Sequence, residues 1–285
     1  MLTRMTSSDL RKRWGTAVLL DGKKLLITGV ITERSIAFAA ARQAQLQGAE
    51  VVLTGFGRGL RITEKIAARL PHRCDVLELD LTDAEHLTRV AAQVQERWGR
   101  LDGVLHAAAF APAEALDGGF LTAGWPEVAR TMHVSTYSFA ALGRATAPLL
   151  AAAGGGSIVG LDFDAGQVWP GYDWMGVAKG GLESCCRYLA HALGPQGTRV
   201  NLVAAGPLRT VAASAIGTFE TLVEAWRERA ALGWDHTDPE PVGRAICALW
   251  SDWLPAVTGE TLHVDGGAHA VGARAAAVVA AGRAA

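Results

Sequence analysis

Short apolar runs alternate with longer amphipathic stretches along most of the chain. The runs are Lys24–Thr28, Glu50–Thr54, Val76–Asp80, Leu101–His106, Ser157–Leu161, Arg199–Val203 and Glu260–Val264. Each is short and nearly continuous in its apolar positions, the pattern of a strand buried on both faces. Between them lie helical patterns. Ser35–Gln47 is Ala-rich and stopped by Gly48, Leu60–Leu70 ends before Pro71, and Asp83–Trp98 has Asp83 as N-cap. Further helices are predicted over Pro126–Leu150, Tyr172–Leu193 and Pro241–Trp250, with an irregular helical stretch over 211–231. Strands bracketed by helices predict a parallel sheet covered on both faces, and right-handed crossovers then give a single doubly wound α/β domain with seven strands. In such a fold ligands sit at the carboxyl ends of the strands, so the residues just after strands one, four, five and six carry the most information.

After strand one the chain reads Thr28-Gly29-Val-Ile-Thr-Glu-Arg-Ser35-Ile36-Ala37. This is not G-x-G-x-x-G. Gly29 permits a sharp turn, and Ser35 stands where a second glycine is usual. A Ser hydroxyl and free helix N–H groups there can bind a pyrophosphate, although an N-cap serine reads the same way. Asp80, at the end of strand three, either accepts from an adenine amino group or begins a turn. The end of strand two, Gly55-Phe56-Gly57-Arg58, has no carboxylate for a ribose 2′-hydroxyl. Phe56 can cover an adenine face, and Arg58 or Arg61 can meet a 2′-phosphate or solvent. This chemistry leaves NADH and NADPH both open.

Tyr172 and Lys179 are spaced Y-x6-K at the start of a predicted helix. Seven residues put them on one face, about 10 Å apart along the axis, and the long Lys side chain leans back across that gap. A phenol beside an ammonium can stabilise negative charge on a carbonyl oxygen, and the ammonium can also hold a ribose hydroxyl.

Composition narrows the possibilities. The chain has 285 residues, 50% hydrophobic and 19% charged, with a formal net charge of −1. That suits one large domain, and it speaks against a nucleic-acid binder, which would carry a basic stripe. No apolar run is long enough to span a membrane, and a cytoplasmic location is expected. Residues 1–17 read as a disordered extension, 18–272 as the folded domain, and 273–285 as an Ala-rich tail. The four cysteines include no C-x-x-C, so free thiols are expected, and the eight histidines show no metal-binding spacing.

Six stretches in order give the chain a family likeness: TGVITERSIAF from Thr28, DGVLHAAAFAP from Asp102, GSIVGLDFD from Gly156, YDWMGVAK from Tyr172, NLVAAGPLRT from Asn201 and TGETLHVDGGAH from Thr258. Over about Leu20 to Gly272 the chain resembles the enoyl-acyl-carrier-protein reductases of bacterial type II fatty-acid synthesis, most of all actinobacterial members. These are Rossmann-fold enzymes of the short-chain dehydrogenase/reductase superfamily. The resemblance implies Tyr172 beside the substrate thioester carbonyl, Lys179 on the nicotinamide ribose and Phe163 flanking the enoyl group. It implies Gly29, Ser35, Ile36, Phe56, Asp80, Leu81, Ala107 and Ala109, with Gly206, Pro207, Leu208 and Thr210, around the dinucleotide. Met175, Ala212 and Ile216 would line the acyl pocket, in a substrate loop at about 210–234.

The implied activity is conjugate reduction of a trans-2-enoyl thioester, on acyl carrier protein or CoA, by NADH or NADPH, in a homotetramer. Carbonyl reductases of the superfamily carry a serine about twelve or thirteen residues before the tyrosine; here those positions are Gly160 and Val159. This disfavours reduction of a 3-oxoacyl carbonyl, which stays the alternative beside a non-catalytic dinucleotide-binding homologue. Two departures matter. After strand four the family usually reads Ser-Ile-Gly, and here it reads Ala107-Ala108-Ala109, which implies weaker or altered cofactor binding. The substrate-loop region is shorter than in long-chain members, which implies short to medium acyl chains.

Overall fold

The structure is a computed structural model and describes residues 18–211, 213 and 217–272. The expected extension at 1–17, the tail at 273–285, and Ala212 and Ile216 of the acyl pocket lie outside the described residues. Seven parallel strands form one sheet in the order β3-β2-β1-β4-β5-β6-β7. They are β1 (Lys24–Ile27), β2 (Glu50–Gly55), β3 (Val76–Glu78), β4 (Gly103–His106), β5 (Ser157–Asp162), β6 (Arg199–Ala205) and β7 (Thr261–Val264). The order reverses between β1 and β4, whose register pairs Ile27 with Leu105. A crevice for ligands opens beyond the carboxyl ends at this switch point.

Among the described residues eight α-helices cover the sheet: α1 (Ile36–Leu46), α2 (Arg58–Ala67), α3 (Ala84–Trp98), α4 (Trp125–Met132), α5 (Ser138–Ala152), α6 (Asp173–Leu193), α7 (Phe219–Arg229) and α8 (Glu240–Trp250). One apolar layer joins α1, α2 and α8 to the sheet, and a second joins α3, α5 and α6 to its other face. The alanines of α1 have a packing reason. Ala37, Ala39, Ala40, Ala41 and Ala44 are all buried. Gly243 of α8 lies so near that a Cβ there would come 2.9 Å from the Ala39 carbonyl carbon. Only small side chains let two backbones approach this closely.

The strands and helices fall where the hydrophobic pattern predicts them, with shifts at several ends: the predicted helix 60–70 runs from Arg58 to Ala67, and the stretch 211–231 holds a helix over Phe219–Arg229. The regular part of β3 stops at Glu78, although Leu79 still donates to the Gly55 carbonyl. β4 begins at Gly103 rather than Leu101. The helix predicted over 126–150 is two helices joined by a π-helical turn, His133–Tyr137. That turn and the first residue of α5 send polar side chains to three different partners. Ser135 exchanges hydrogen bonds with both backbone groups of Phe110. Thr136 donates to the Ala178 carbonyl of α6, and Ser138 reaches the buried His106 ring. No helix among the described residues is long and apolar enough to cross a membrane. All four cysteines are free thiols.

Candidate active site

Two cavities open at the carboxyl edge of the sheet, one on each side of Ala107–Ala109. The first, about 240 Å³, lies over β1–β3 and is bounded by Gly29, Phe56, Asp80, Leu81 and Ala108. Gly29 has φ +81°, and a Cβ there would come 2.0 Å from the Ala107 carbonyl oxygen. Glycine is required for β1 and β4 to release their loops so close together. Thr28 ties the same loops: its hydroxyl donates to the Leu105 carbonyl and accepts from the Ala107 N–H at 2.8 Å.

Ser35 is the N-cap of α1. Its hydroxyl accepts from Phe38 N and donates to the Thr32 carbonyl at 2.7 Å. No acidic residue stands in the first turn of α1, so the helix N-terminus is electrostatically open to an anion. Asp80 Oδ1 accepts from both the N–H and the hydroxyl of Thr82, which makes it a turn residue as well as a cavity wall. Phe56, half exposed at the rim, packs edge-on against His86, a residue that the sequence gives no reason to single out.

The second cavity, about 230 Å³, is mostly apolar. Tyr172, Lys179, Phe163 and Met175 line it together with Ile36, Ala109, Gly206, Pro207, Leu208 and Thr210. The residues expected at the nicotinamide and acyl ends of the site thus share one wall. Gly206 has no room for a side chain, because a Cβ would come 2.7 Å from the Trp226 indole nitrogen and from the Trp234 ring. Trp234 fixes this turn by donating to the Pro207 carbonyl.

Tyr172 caps α6, and its ring centroid lies 5.2 Å from that of Phe163. Phe163 in turn packs against Trp169 and Trp226. This aromatic wall buries the phenol, and burial, assisted by the nearby Asp162 charge, raises its pKa above the ordinary tyrosine value. The hydroxyl therefore keeps its proton at any physiological pH. Lys179 is 5% exposed, and its ammonium donates to the Leu161 carbonyl at 2.7 Å. Burial lowers its pKa, and Asp162 opposes that shift.

Asp162 also lines this cavity, and nothing in the sequence reading singles it out. It ends β5 and is 6% exposed; neither carboxylate oxygen has a well-aligned hydrogen-bond partner, and only the N–H of the next residue, Phe163, favours its charged form. Desolvation raises its pKa from 3.8 to about 7, against the opposing pull of Lys179. An acid at the carboxyl end of a central strand was the available signal. His106, at the same end of β4, is fully buried; its Nε2 meets Ser138 at 2.7 Å and its Nδ1 has no partner. Burial, with the Lys179 charge, lowers its pKa to about 3, so the ring is neutral.

A clasp joins the mouth of this cavity to the turn before Tyr172. Asp117, with φ 49°, donates its N–H to the Gly171 carbonyl and accepts from the Gly217 N–H at 3.0 Å. Thr218 donates to the Pro170 carbonyl. Asp173, also left-handed at φ 40°, accepts from the Gly118 N–H.

The dinucleotide groups fit this frame. The narrow Gly29 turn, the open α1 N-terminus and two cavities separated by a stretch of small alanines make an extended cradle for a two-ended ligand. Among the described residues no cluster of side chains could hold a metal ion.

Residues 29–269 match a family model described as enoyl-(acyl carrier protein) reductase. The chain is 46% identical to an enoyl-acyl-carrier-protein reductase (NADH) of Mycolicibacterium smegmatis, over 88% of this chain and 97% of the relative. It is 45% identical to one from Mycobacterium avium, over 88% and 98%, and 40% identical to one from Rhizobium meliloti, over 90% and 94%.

Proposed function

The chain belongs to the enoyl-(acyl carrier protein) reductase family, and we propose that it reduces the C=C bond of a trans-2-enoyl thioester in fatty-acid synthesis, with NADH as hydride donor. The observation that carries this reading is a cavity of mostly apolar wall into which one un-ionised phenol and one buried ammonium project. NADH, when bound, supplies hydride to the substrate β-carbon. Everything else is done by the chain.

Tyr172 donates its O–H to the thioester carbonyl oxygen, where negative charge gathers as the enolate forms. Tyr172 serves here as a hydrogen-bond donor to the oxyanion, and a proton from solvent completes the step at the α-carbon. Phe163, fixed by Trp169, Tyr172 and Trp226, forms a wall against the enoyl group. Met175, Leu222 and Phe219 offer the apolar surface for the acyl chain. Lys179, anchored on the Leu161 carbonyl, presents its remaining N–H donors to the nicotinamide ribose. Gly206, Pro207, Leu208 and Thr210 close the nicotinamide side. Gly29, Ser35, Ile36, Phe56, Asp80 and Leu81 hold the rest of the dinucleotide, with Ala107 and Ala109 between.

The test is loss of NADH absorbance with a series of trans-2-enoyl thioesters from C4 upward, in wild type and Tyr172→Phe. Turnover that falls about a hundredfold or more in the variant supports the reading, as expected for removal of one oxyanion donor. Turnover of 3-oxoacyl thioesters in place of enoyl thioesters would replace it. The short substrate-loop region favours short to medium chains; activity that climbs steadily toward C16 would contradict this.

The same reading takes the molecule as a homotetramer. Trp125, Tyr137, Val177 and Tyr188 on or beside the long helices are exposed, as is Leu262 on β7, the last strand of the sheet. Such apolar faces and open strand edges are what copies of a chain cover in symmetric assembly. Light scattering at micromolar concentration checks it, and a monomer would refute it.

A further inference from the structure

Asp162 has no place in the mechanism above, yet among the described residues it is the one buried carboxylate with neither oxygen well paired. A buried carboxylate is costly unless paired, and natural proteins pair nearly all of them. Here no side chain pairs with either oxygen at 6% exposure, and the one backbone group that favours the charged form is the N–H of the next residue, Phe163. The nearest cation, Lys179, donates to the Leu161 carbonyl instead. The carboxylate is not sealed in the core either, since it lines the same cavity as Lys179, Gly206, Pro207 and Leu208. A charged acceptor left open toward a ligand cavity calls for something positive or proton-bearing in the ligand.

On the reading given under Proposed function, the ligand at this wall is the nicotinamide end of the dinucleotide. Hydride transfer breaks a C–H bond of the dihydronicotinamide and forms one at the substrate β-carbon. The ring goes from neutral to cationic, the substrate becomes an enolate, and a proton from water then adds to the α-carbon. The ring is thus the one part of the bound ligands that gains positive charge. We propose that Asp162 is a specificity-determining residue for cofactor oxidation state, its open carboxylate favouring the cationic ring of NAD⁺ over the neutral ring of NADH. Ionised, it attracts the oxidised form; protonated, it is indifferent between the two. Cofactor preference is then coupled to pH near neutrality, where the carboxyl titrates.

Other titratable groups surround Asp162. On α6 they are Lys179, Glu183 and Cys186, with Tyr172 at its start; Asp164 follows on the loop. Beyond Lys179 lies His106, and beyond Asp164 lies His263, 3.9 Å from its Oδ1. Burial holds His106 neutral and raises the Cys186 thiol to about 12, so neither changes charge near neutrality. His263 and Asp164 remain in any Asp162 variant and so serve as an internal control.

The experiment is calorimetric titration of the full chain with NADH and with NAD⁺, separately, at pH 5.5 and pH 8.5. Wild type should show NAD⁺ gaining about tenfold on NADH between the two pH values, the size expected of one partly screened charge at close range. In Asp162→Asn the ratio of the two dissociation constants should not move with pH. Asp162→Ala, which leaves room for water, should behave the same way and guards against a misfolded first variant. A wild-type ratio that is flat with pH overturns the inference even if neither variant folds, and so does an Asp162→Asn ratio that keeps the wild-type slope. If both dinucleotides bind and the ratio is flat, only this inference fails. If neither binds at any pH, the cofactor reading and this inference fall together.

Discussion

At the adenine end of the cradle, Thr28, Ser35 and Asp80 have each found partners inside the fold, while at the reacting end Asp162, His106 and Trp226 keep buried polar atoms with none. The first end can be built from backbone geometry: a glycine turn, a helix N-terminus and a small-residue stretch. It needs shape, and its side chains serve the protein before they serve the ligand. The second end must change its interactions while bonds break, and a fully satisfied group has nothing left to offer a changing ligand. Among the described residues four of the five buried side-chain polar atoms without a well-aligned partner lie at this end, the fifth being Thr198 Oγ1 just before β6.

Substitutions can break this contrast, and the largest effect is expected at the shape-determined end. Gly29→Ala places a methyl carbon against the Ala107 carbonyl at a left-handed φ. It should destabilise the fold by about 4 kcal/mol and abolish NADH binding, checked by denaturant unfolding and fluorescence titration.

Next comes Asp162→Asn, with the opposite sign. The folded chain binds the Asp162 proton with a pKa of about 7, against 3.8 for an ordinary aspartate. Between those values the folded state holds more protons than the unfolded, so this group lowers stability as pH rises from about 4 to 7, and the full loss persists above 7. The asparagine variant should therefore be more stable than wild type by about 2–4 kcal/mol at pH 8, and by little at pH 4. Melting temperatures across that range decide it, and a constant difference would mean that Asp162 is charged throughout.

Ser35→Ala removes an N-cap and one polar group of the proposed dinucleotide cradle, and should cost about 1 kcal/mol of stability while weakening NADH binding only a few-fold. A large loss of NADH affinity instead would mean that the hydroxyl leaves Thr32 for the ligand. The smallest effect belongs to Ala107→Ser, which restores a hydroxyl beside the Gly29 turn. It should tighten NADH binding several-fold, the worth of about one hydrogen bond.

Much of the first end was legible in the sequence, because backbone-built features follow from local pattern. Gly29 before a helix, Ser35 at the helix start and Asp80 after a short strand can be read in one dimension. So can Tyr172 and Lys179, since both lie on one helix at a fixed spacing. The π-turn at His133–Tyr137 was not legible, because its cause is elsewhere in the chain. Ser135 answers to Phe110, Thr136 to Ala178 and Ser138 to His106, and a helical periodicity carries no trace of such partners. Asp162 was illegible for a related reason. An aspartate after an apolar run looks the same as Asp80, which does begin a turn. What separates them is that the next elements fold a lysine and an aromatic wall around one and leave the other at a half-open edge. Orphaned polarity is a property of neighbours, not of spacing.

The clasp at Asp117 has a mechanical consequence. Its backbone N–H holds the turn that precedes Tyr172, and its carboxylate holds Gly217, where the chain enters α7. Two separate segments are thus tied to one residue. If Gly217 swings outward by more than the reach of a hydrogen bond, it either lets go of Asp117 or drags the Pro170–Tyr172 turn with it. In the second case the door and the trigger share a shaft: a mouth wide enough to release product is also one in which the phenol has left its firing position.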